Sequence, residues 1–297
     1  MARDWDVTFG FWGSAPSNTE QEKCGNAERA IRKAIAACPK LSNTPIDVFV
    51  QGSYANCTNV RQDSDVDICV LYKGDAFFPD YQLAPELNSA ALGFGTGDYS
   101  YAEFKNDVEA ALVSYFGRPA VRRGKKAFDI RENTYRVDAD VVPCFEHRLY
   151  VGNRFSHYYH SGTRLFPDNG GHIDNYPKQN HDNGVAKGGK FKAVTRILKN
   201  LRFELVDEGH AIAEKIPSYL IECLVYLAPD AAFANVMYRH NVRYVLAYLW
   251  NETRIAGTCD KWTEVNGIKY LFHATQPWRR EDVNAFLQAA WDYVRYE

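Results

Sequence analysis

An apolar strand that opens on two carboxylates constrains this chain more than any other feature of its sequence. In Gln51-Gly52-Ser53-Tyr54 … Asp63-Ser64-Asp65-Val66-Asp67-Ile68, a glycine-serine turn precedes a run that stays apolar from Val66 to Tyr72 and begins at Asp65 and Asp67. Residues two apart on a strand point to one face, so both carboxylates project together. Two close carboxylates raise each other's pKa unless a cation lies between them. Hard oxygen donors of this kind suit magnesium or manganese, which keep positions open for phosphate oxygens. A third carboxylate on a neighbouring strand would complete a two-metal site with ions roughly 3.5–4 Å apart. The stretch Tyr135 to Val142, stopping at Pro143, reads as that strand, with Asp138 and Asp140 on one face and either able to serve. A lone D-x-D is more often a solvated turn; the Gly-Ser turn, the apolar strand and the second acidic strand together favour the site. Gly52 allows close approach of backbone to phosphate, and Ser53 can donate its hydroxyl and N–H there.

Helical and strand periods alternate in the first half. Ser17 and Glu20 form a capping pair ahead of Ala27, Ala30, Ile31, Ala34, Ile35 and Cys38, which predicts a helix over 17–38. Ile46, Val48 and Val50 alternate as a strand, and Phe104, Val108, Leu112 and Tyr115 mark a helix ending near Gly117. From Gly189 the pattern turns helical, through Phe191–Leu205, from Pro217, from Val236 to Trp250 and from Glu281 to Tyr296. The expected fold class is α+β: a mixed-sheet lobe over 1–185 packed on a mostly helical lobe over 186–297, with the site in the cleft between them. At 297 residues, 46% of them apolar, the chain can bury such a core. Seven scattered cysteines without a C-x-x-C pair, an opening without signal-peptide character and no apolar run of membrane length predict a cytoplasmic chain without membrane attachment. A net charge of −2 argues against a long nucleic acid as direct partner.

The second half carries a further set of candidates. Lys192, Arg196 and Lys199 recur at helical spacing and share one face, which alone is an ordinary solvated basic face. Ser218 and Tyr219 open the helix after Pro217, where a serine can reach phosphate at the positive helix end and a tyrosine can stack on a base. His157-Tyr158-Tyr159-His160 lacks nearby ligands and reads as surface or core, and Arg122-Arg123-Gly124-Lys125-Lys126 as a solvated hairpin turn.

The G-S … D-x-D … D order resembles the DNA polymerase β-like nucleotidyltransferases. In detail the chain looks like the bacterial cGAS/DncV-like nucleotidyltransferases, and most of all like their CdnE clade. The resemblance implies that Asp65, Asp67 and Asp140 are the catalytic metal ligands, Asp140 being selected over Asp138 by Asp140-Val141-Val142-Pro143. It implies that Lys199, with Lys192 second, binds the donor triphosphate, that Ser218 and Tyr219 hold phosphate and base, and that Asn183 or Asn180 in Tyr176–Gly184 reads a base edge, although Asn183-Gly184 is also an ordinary turn sequence. The implied activity is magnesium-dependent (manganese possible) synthesis of a cyclic di- or trinucleotide from nucleoside triphosphates. Its implied setting is anti-phage signalling of the CBASS type, with a separate effector that responds to the product. The competing expectation is a nucleotidyltransferase acting on a tRNA, protein or antibiotic acceptor. No cysteine-histidine cluster is present for a zinc module that engages DNA, so activation by duplex is not expected.

Overall fold

The computed structural model describes residues 3–60, 65–95, 97–131, 133 and 136–296. Asp63, Ser64 and Tyr135 of the stretches quoted above lie outside the described residues. In chain order the elements are α1 (Trp5–Trp12), α2 (Asn18–Ala37), β1 (Ile46–Val50), α3 (Gly52–Ala55), β2 (Val66–Tyr72), β3 (Phe78–Leu83), α4 (Tyr101–Phe116), β4 (Val121–Arg123) and β5 (Phe128–Ile130). There follow β6 (Ala139–Gly152), β7 (His157–Leu165), β8 (Ile173–Asn175), α5 (Pro177–Lys187), α6 (Phe191–Asp207), α7 (Ala211–Glu214), α8 (Ser218–Leu227), α9 (Tyr238–Arg254) and α10 (Arg280–Val294). Among the described residues no helix is long and apolar enough to cross a membrane.

The chain divides into two compact units. One comprises Ser17–Tyr54 and Asp63–Pro177, the other Met1–Pro16, Ala55–Gln62 and Lys178–Glu297. The expected division at 185/186 therefore moves to 177/178, and the helical unit recruits two earlier segments. The first is drawn in by Phe9 of α1, fully buried among Val194, Ile197 and Leu224 of the helical core. The second is held by hydrogen bonds described below.

In the sheet unit, strand order β1-β2-β6-β5-β4 forms the part that matters for the site, with β2 and β6 parallel and β1, β5 and β4 antiparallel to their neighbours. The period-two rule assigns the faces. Val66, Ile68 and Val70 of β2, Val141 of β6 and Phe128 and Ile130 of β5 are buried against Ile31 of α2 and Phe104, Val108 and Leu112 of α4. Alternate residues, Cys69, Leu71, Val142 and Cys144, form a second small cluster on the opposite face. Asp67, Asp129 and Asp140 share the parity of that opposite face.

Strand β6 does not stop at Pro143 but runs on to Gly152. The proline pairs with Val70 of β2 on one side. On the other side it falls between the residues paired with β5, which end at Val141, and those paired with β7, which begin at Phe145. A missing N–H at that changeover breaks no ladder bond there, so proline is tolerated within the strand. Helix α1 and the strands β3, β7 and β8 had no clear sequence signal, and Asn183-Gly184 lies inside helix α5 rather than in a turn. The Arg122–Lys126 segment is the expected hairpin turn, closed by Gly124 N–H donating to Ala127 O.

Candidate functional site

Register places the acidic residues in a row across the sheet. Asp67 on β2 is directly opposite Asp140 on β6, and Asp140 is directly opposite Asp129 on β5. Asp129 is opposite Arg122 on β4, whose Nε lies 3.6 Å from an Asp129 carboxylate oxygen. Asp65 is exposed just ahead of β2. Burial, and then the Asp65 charge, push the Asp67 carboxyl up to about 6. Asp140 is pushed to about 7, first by burial, then by Asp65, Asp67 and Asp129, with a hydrogen bond that its protonated form donates to Asp129 adding to the rise. The result is a set of oxygen donors whose ionised forms repel and are poorly solvated, an arrangement that a hard divalent cation relieves. Among the described residues no three acidic, histidine or cysteine side chains already form a metal cage. Magnesium-type sites commonly use one or two carboxylates and take remaining oxygens from water and substrate phosphate, so the donor set fits such an ion.

Gly52 belongs to the same construction. Its φ is +68°, a left-handed value that favours glycine, and a Cβ there would drive into Asp67 Oδ2 and stand 3.3 Å from Asp67 Cγ. The turn is thus packed against the metal-ligand candidate, and Gln51 N–H donates 2.8 Å to Asp67 O, fixing the backbone beside it. Ser53 follows in the short helix α3, half-exposed. Between Asp138 and Asp140, the strand that carries the site starts at Ala139, and Asp140 is the one paired with Asp67. Asp138 precedes the strand, its carbonyl accepting from Val66 N–H at 3.0 Å.

In the helical unit the basic face of α6 proves largely buried. Arg196 donates to the carbonyls of Gly13 and Cys57, and burial lowers its pKa. Lys199 is 2% exposed and Glu222 3%, and they form an ion pair at 3.1 Å. The Lys199 ammonium also donates at 3.1 Å to Thr58 O and Thr58 Oγ1, so all three of its protons are used. Glu222 accepts in addition from Asn56 Nδ2 at 2.8 Å and from the Thr58 hydroxyl. As the structure stands, Lys199 braces segment 56–58 instead of presenting a charge to a triphosphate. The reason is a carboxylate on α8 that helical spacing on α6 cannot reveal. Lys192 stays half-exposed without an ion pair among the described residues. Ser218 is the first residue of α8, half-exposed, with no side-chain cap before it. The Tyr219 hydroxyl lies 2.9 Å from Glu264 and 3.2 Å from Asn180, and Asn183 Nδ2 donates to Val265 O at 2.8 Å.

Comparison with known proteins bears on both units. Residues 31–148 match the nucleotidyltransferase domain, and residues 179–295 match the cGAS/DncV-like nucleotidyltransferase C-terminal helical domain. The cyclic dipyrimidine nucleotide synthase CdnE of Legionella pneumophila is 46% identical over 99% of both chains. The chain belongs to the cGAS/DncV-like nucleotidyltransferases. Within that family it sits with CdnE: another cyclic dipyrimidine nucleotide synthase CdnE, from Cecembia lonarensis, is 39% identical over the whole of both chains. Among solved structures, the Rhodothermus marinus CdnE c-UMP-AMP synthase with Apcpp and Upnpp superposes with a TM-score of 0.83 at 31% identity, covering 99% of this chain and 96% of that one. The Elizabethkingia meningoseptica CdnE cyclic dinucleotide synthase with GTP and Apcpp gives 0.81 at 32%, covering 99% and 100%. The protein is accordingly a nucleotidyltransferase of the cyclic-nucleotide-synthase type, as its motifs imply, and the expectation of a tRNA, protein or antibiotic acceptor is not the one supported.

One acidic residue escaped the sequence reading. Asp129 sits in Phe128-Asp129-Ile130, where two apolar residues flank an acid just after the basic turn. That alternation was a strand signal, but only the pairing with β6 sets the acid beside Asp140.

Proposed function

We propose that the protein joins two nucleoside triphosphates, at least one of them a pyrimidine, into a cyclic dinucleotide by magnesium-dependent chemistry, with manganese as an alternative ion. The observation that carries the reaction type is the register Asp67–Asp140 backed by Gly52 against Asp67. Pyrimidine use and a ring of two rest on the printed activities of the Legionella and Cecembia relatives. Asp65, Asp67 and Asp140 are the residues that would hold the ions. When bound, divalent cations supply charge neutralisation, a lowered pKa for the attacking hydroxyl and stabilisation of the leaving pyrophosphate. Asp140, whose surroundings favour its protonated form, is the carboxylate best suited to orient the acceptor hydroxyl and receive its proton. Gly52 and Ser53 bring backbone and hydroxyl donors to phosphate oxygens beside Asp67. On α6 and α8, Lys192 and Ser218 are the phosphate contacts with side chains still open, and Tyr219 is the base-stacking candidate. The product would act on a separate cyclic-nucleotide-responsive effector in anti-phage defence, in the cytoplasm.

Incubating the purified protein with all four triphosphates and magnesium or manganese, followed by mass spectrometry, should yield a free cyclic dinucleotide containing uracil or cytosine. Transfer of label to a tRNA, protein or antibiotic, with no free cyclic product from any triphosphate pair, would overturn the reading.

A further inference from the structure

The last residue of α3 and the three that follow it are each gripped by a side chain from α5, α6 or α8. His181 Nδ1 on α5 lies 3.1 Å from Ala55 O, an oxygen that can only accept. Asn56 Nδ2 donates to one carboxylate oxygen of Glu222 on α8 at 2.8 Å. Arg196 on α6 donates to Cys57 O, and Lys199 to Thr58 O and Thr58 Oγ1 at 3.1 Å. The Thr58 hydroxyl donates in turn to the other Glu222 oxygen. Asn56, Thr58, Arg196, Lys199 and Glu222 are all buried, so a lost bond would leave a polar group without water to replace it.

Cys57, in the middle of this grip, has φ +55°, a left-handed value that a residue with a Cβ rarely adopts. Its side chain is exposed, so packing of the thiol does not impose the conformation. The anchors on Asn56, on its own carbonyl and on Thr58 do. Such backbone persists only where the surroundings over-determine it, and it gathers where position matters for function. Here the position at stake is that of α3. With Thr58 anchored, relaxing Cys57 to a negative φ would reorient the helix, and Ser53 lies on it only four residues earlier. At its other end α3 begins on Gly52, itself left-handed and packed against Asp67.

We propose that Arg196 and Glu222 are positioning residues for triphosphate binding: with Lys199 they hold Cys57 left-handed, and that joint sets α3 so that Ser53 meets the terminal phosphates. This rests on the reading of the protein as a nucleotidyltransferase whose Gly52-Ser53 turn contacts phosphate. The joint acts through backbone geometry, so its effect belongs to ligands that carry terminal phosphates.

The test compares magnesium-supported binding of Upnpp, a UTP analogue, with binding of UMP by calorimetry. Cys57→Val places a β-branched residue at the left-handed position without entering the core. Thr58→Val keeps the side-chain volume and removes the hydroxyl that links Lys199 to Glu222. Each should weaken Upnpp roughly tenfold, the scale of one hydrogen bond to a charged group, and leave UMP unchanged. Cys57→Gly combined with Thr58→Val should bring Upnpp back to within roughly threefold of wild type, because glycine holds a positive φ unaided. A merely structural role predicts losses shared by both ligands, or none. Should Thr58→Val fail to fold, Cys57→Val decides. Equal losses for Upnpp and UMP, unchanged Upnpp binding in Cys57→Val, or no recovery with Cys57→Gly overturns the inference. Ser53→Ala separates this from the reading beneath it: if that variant binds Upnpp as wild type does, the phosphate role of the turn fails and takes the inference with it.

Discussion

Replacing Asp140 with asparagine should make the metal-free protein more stable while abolishing turnover. The Asp140 carboxyl rises from an ordinary 3.8 to about 7 in the fold. A carboxyl whose folded pKa is raised costs nothing below its unfolded value, costs progressively more as pH climbs between the two values, and exacts its full cost above the folded one. The shift corresponds to about 4 kcal/mol as an upper bound. Part of the side chain still meets water, and screening reduces the figure to about 1–2 kcal/mol. For a chain of this size that is a rise in Tm of roughly 2–6 °C. Thermal unfolding of wild type and Asp140→Asn in EDTA at pH 8 and pH 4 should show the gain at pH 8 and little at pH 4. Adding magnesium should raise the wild-type Tm and leave the variant nearly unmoved. A variant no more stable than wild type at pH 8 in EDTA, or a gain that is the same at both pH values, would refute the argument that carboxylate crowding at this site is relieved by a cation.

Gly52→Ala should lower pyrophosphate release by on the order of a hundredfold or more while the far-UV spectrum stays native, because the added methyl displaces the Asp67 carboxylate. Asp138→Asn should keep turnover within a few-fold of wild type in the same assay, whereas Asp140→Asn should be dead, since only Asp140 is paired with Asp67. Lys199→Met should cost about 3–5 kcal/mol in urea unfolding by leaving Glu222 buried without its cation, and Lys199→Met with Glu222→Leu should recover much of that loss. Long duplex DNA or RNA should leave the rate of product formation unchanged, as a net charge of −2 offers no extended basic surface.

The sequence by itself determined what depends on near neighbours along the chain. Alternation from Val66 to Tyr72 fixes that Asp65 and Asp67 share one face and Ile68 and Val70 the other, and β2 forms with the bounds its apolar residues predict. The Ser17 cap does the same for α2, accepting from Glu20 N–H at 3.2 Å. Tertiary structure decided whatever depends on which strand lies alongside and what is buried. Asp129 joins the acidic row because β5 pairs antiparallel with β6 in a register no local pattern encodes. Pro143 continues a strand because its partner changes there from β5 to β7, whereas in isolation a proline reads as a stop. Lys199 and Arg196 occupy the face that helical spacing marks as solvated. Glu222 from α8 and carbonyls from segments 13 and 57 meet them in the interior, and such partners offset the cost of burying the two charges. Local periodicity reports which side of an element a residue faces, but the chemistry of that side belongs to residues far away in the chain.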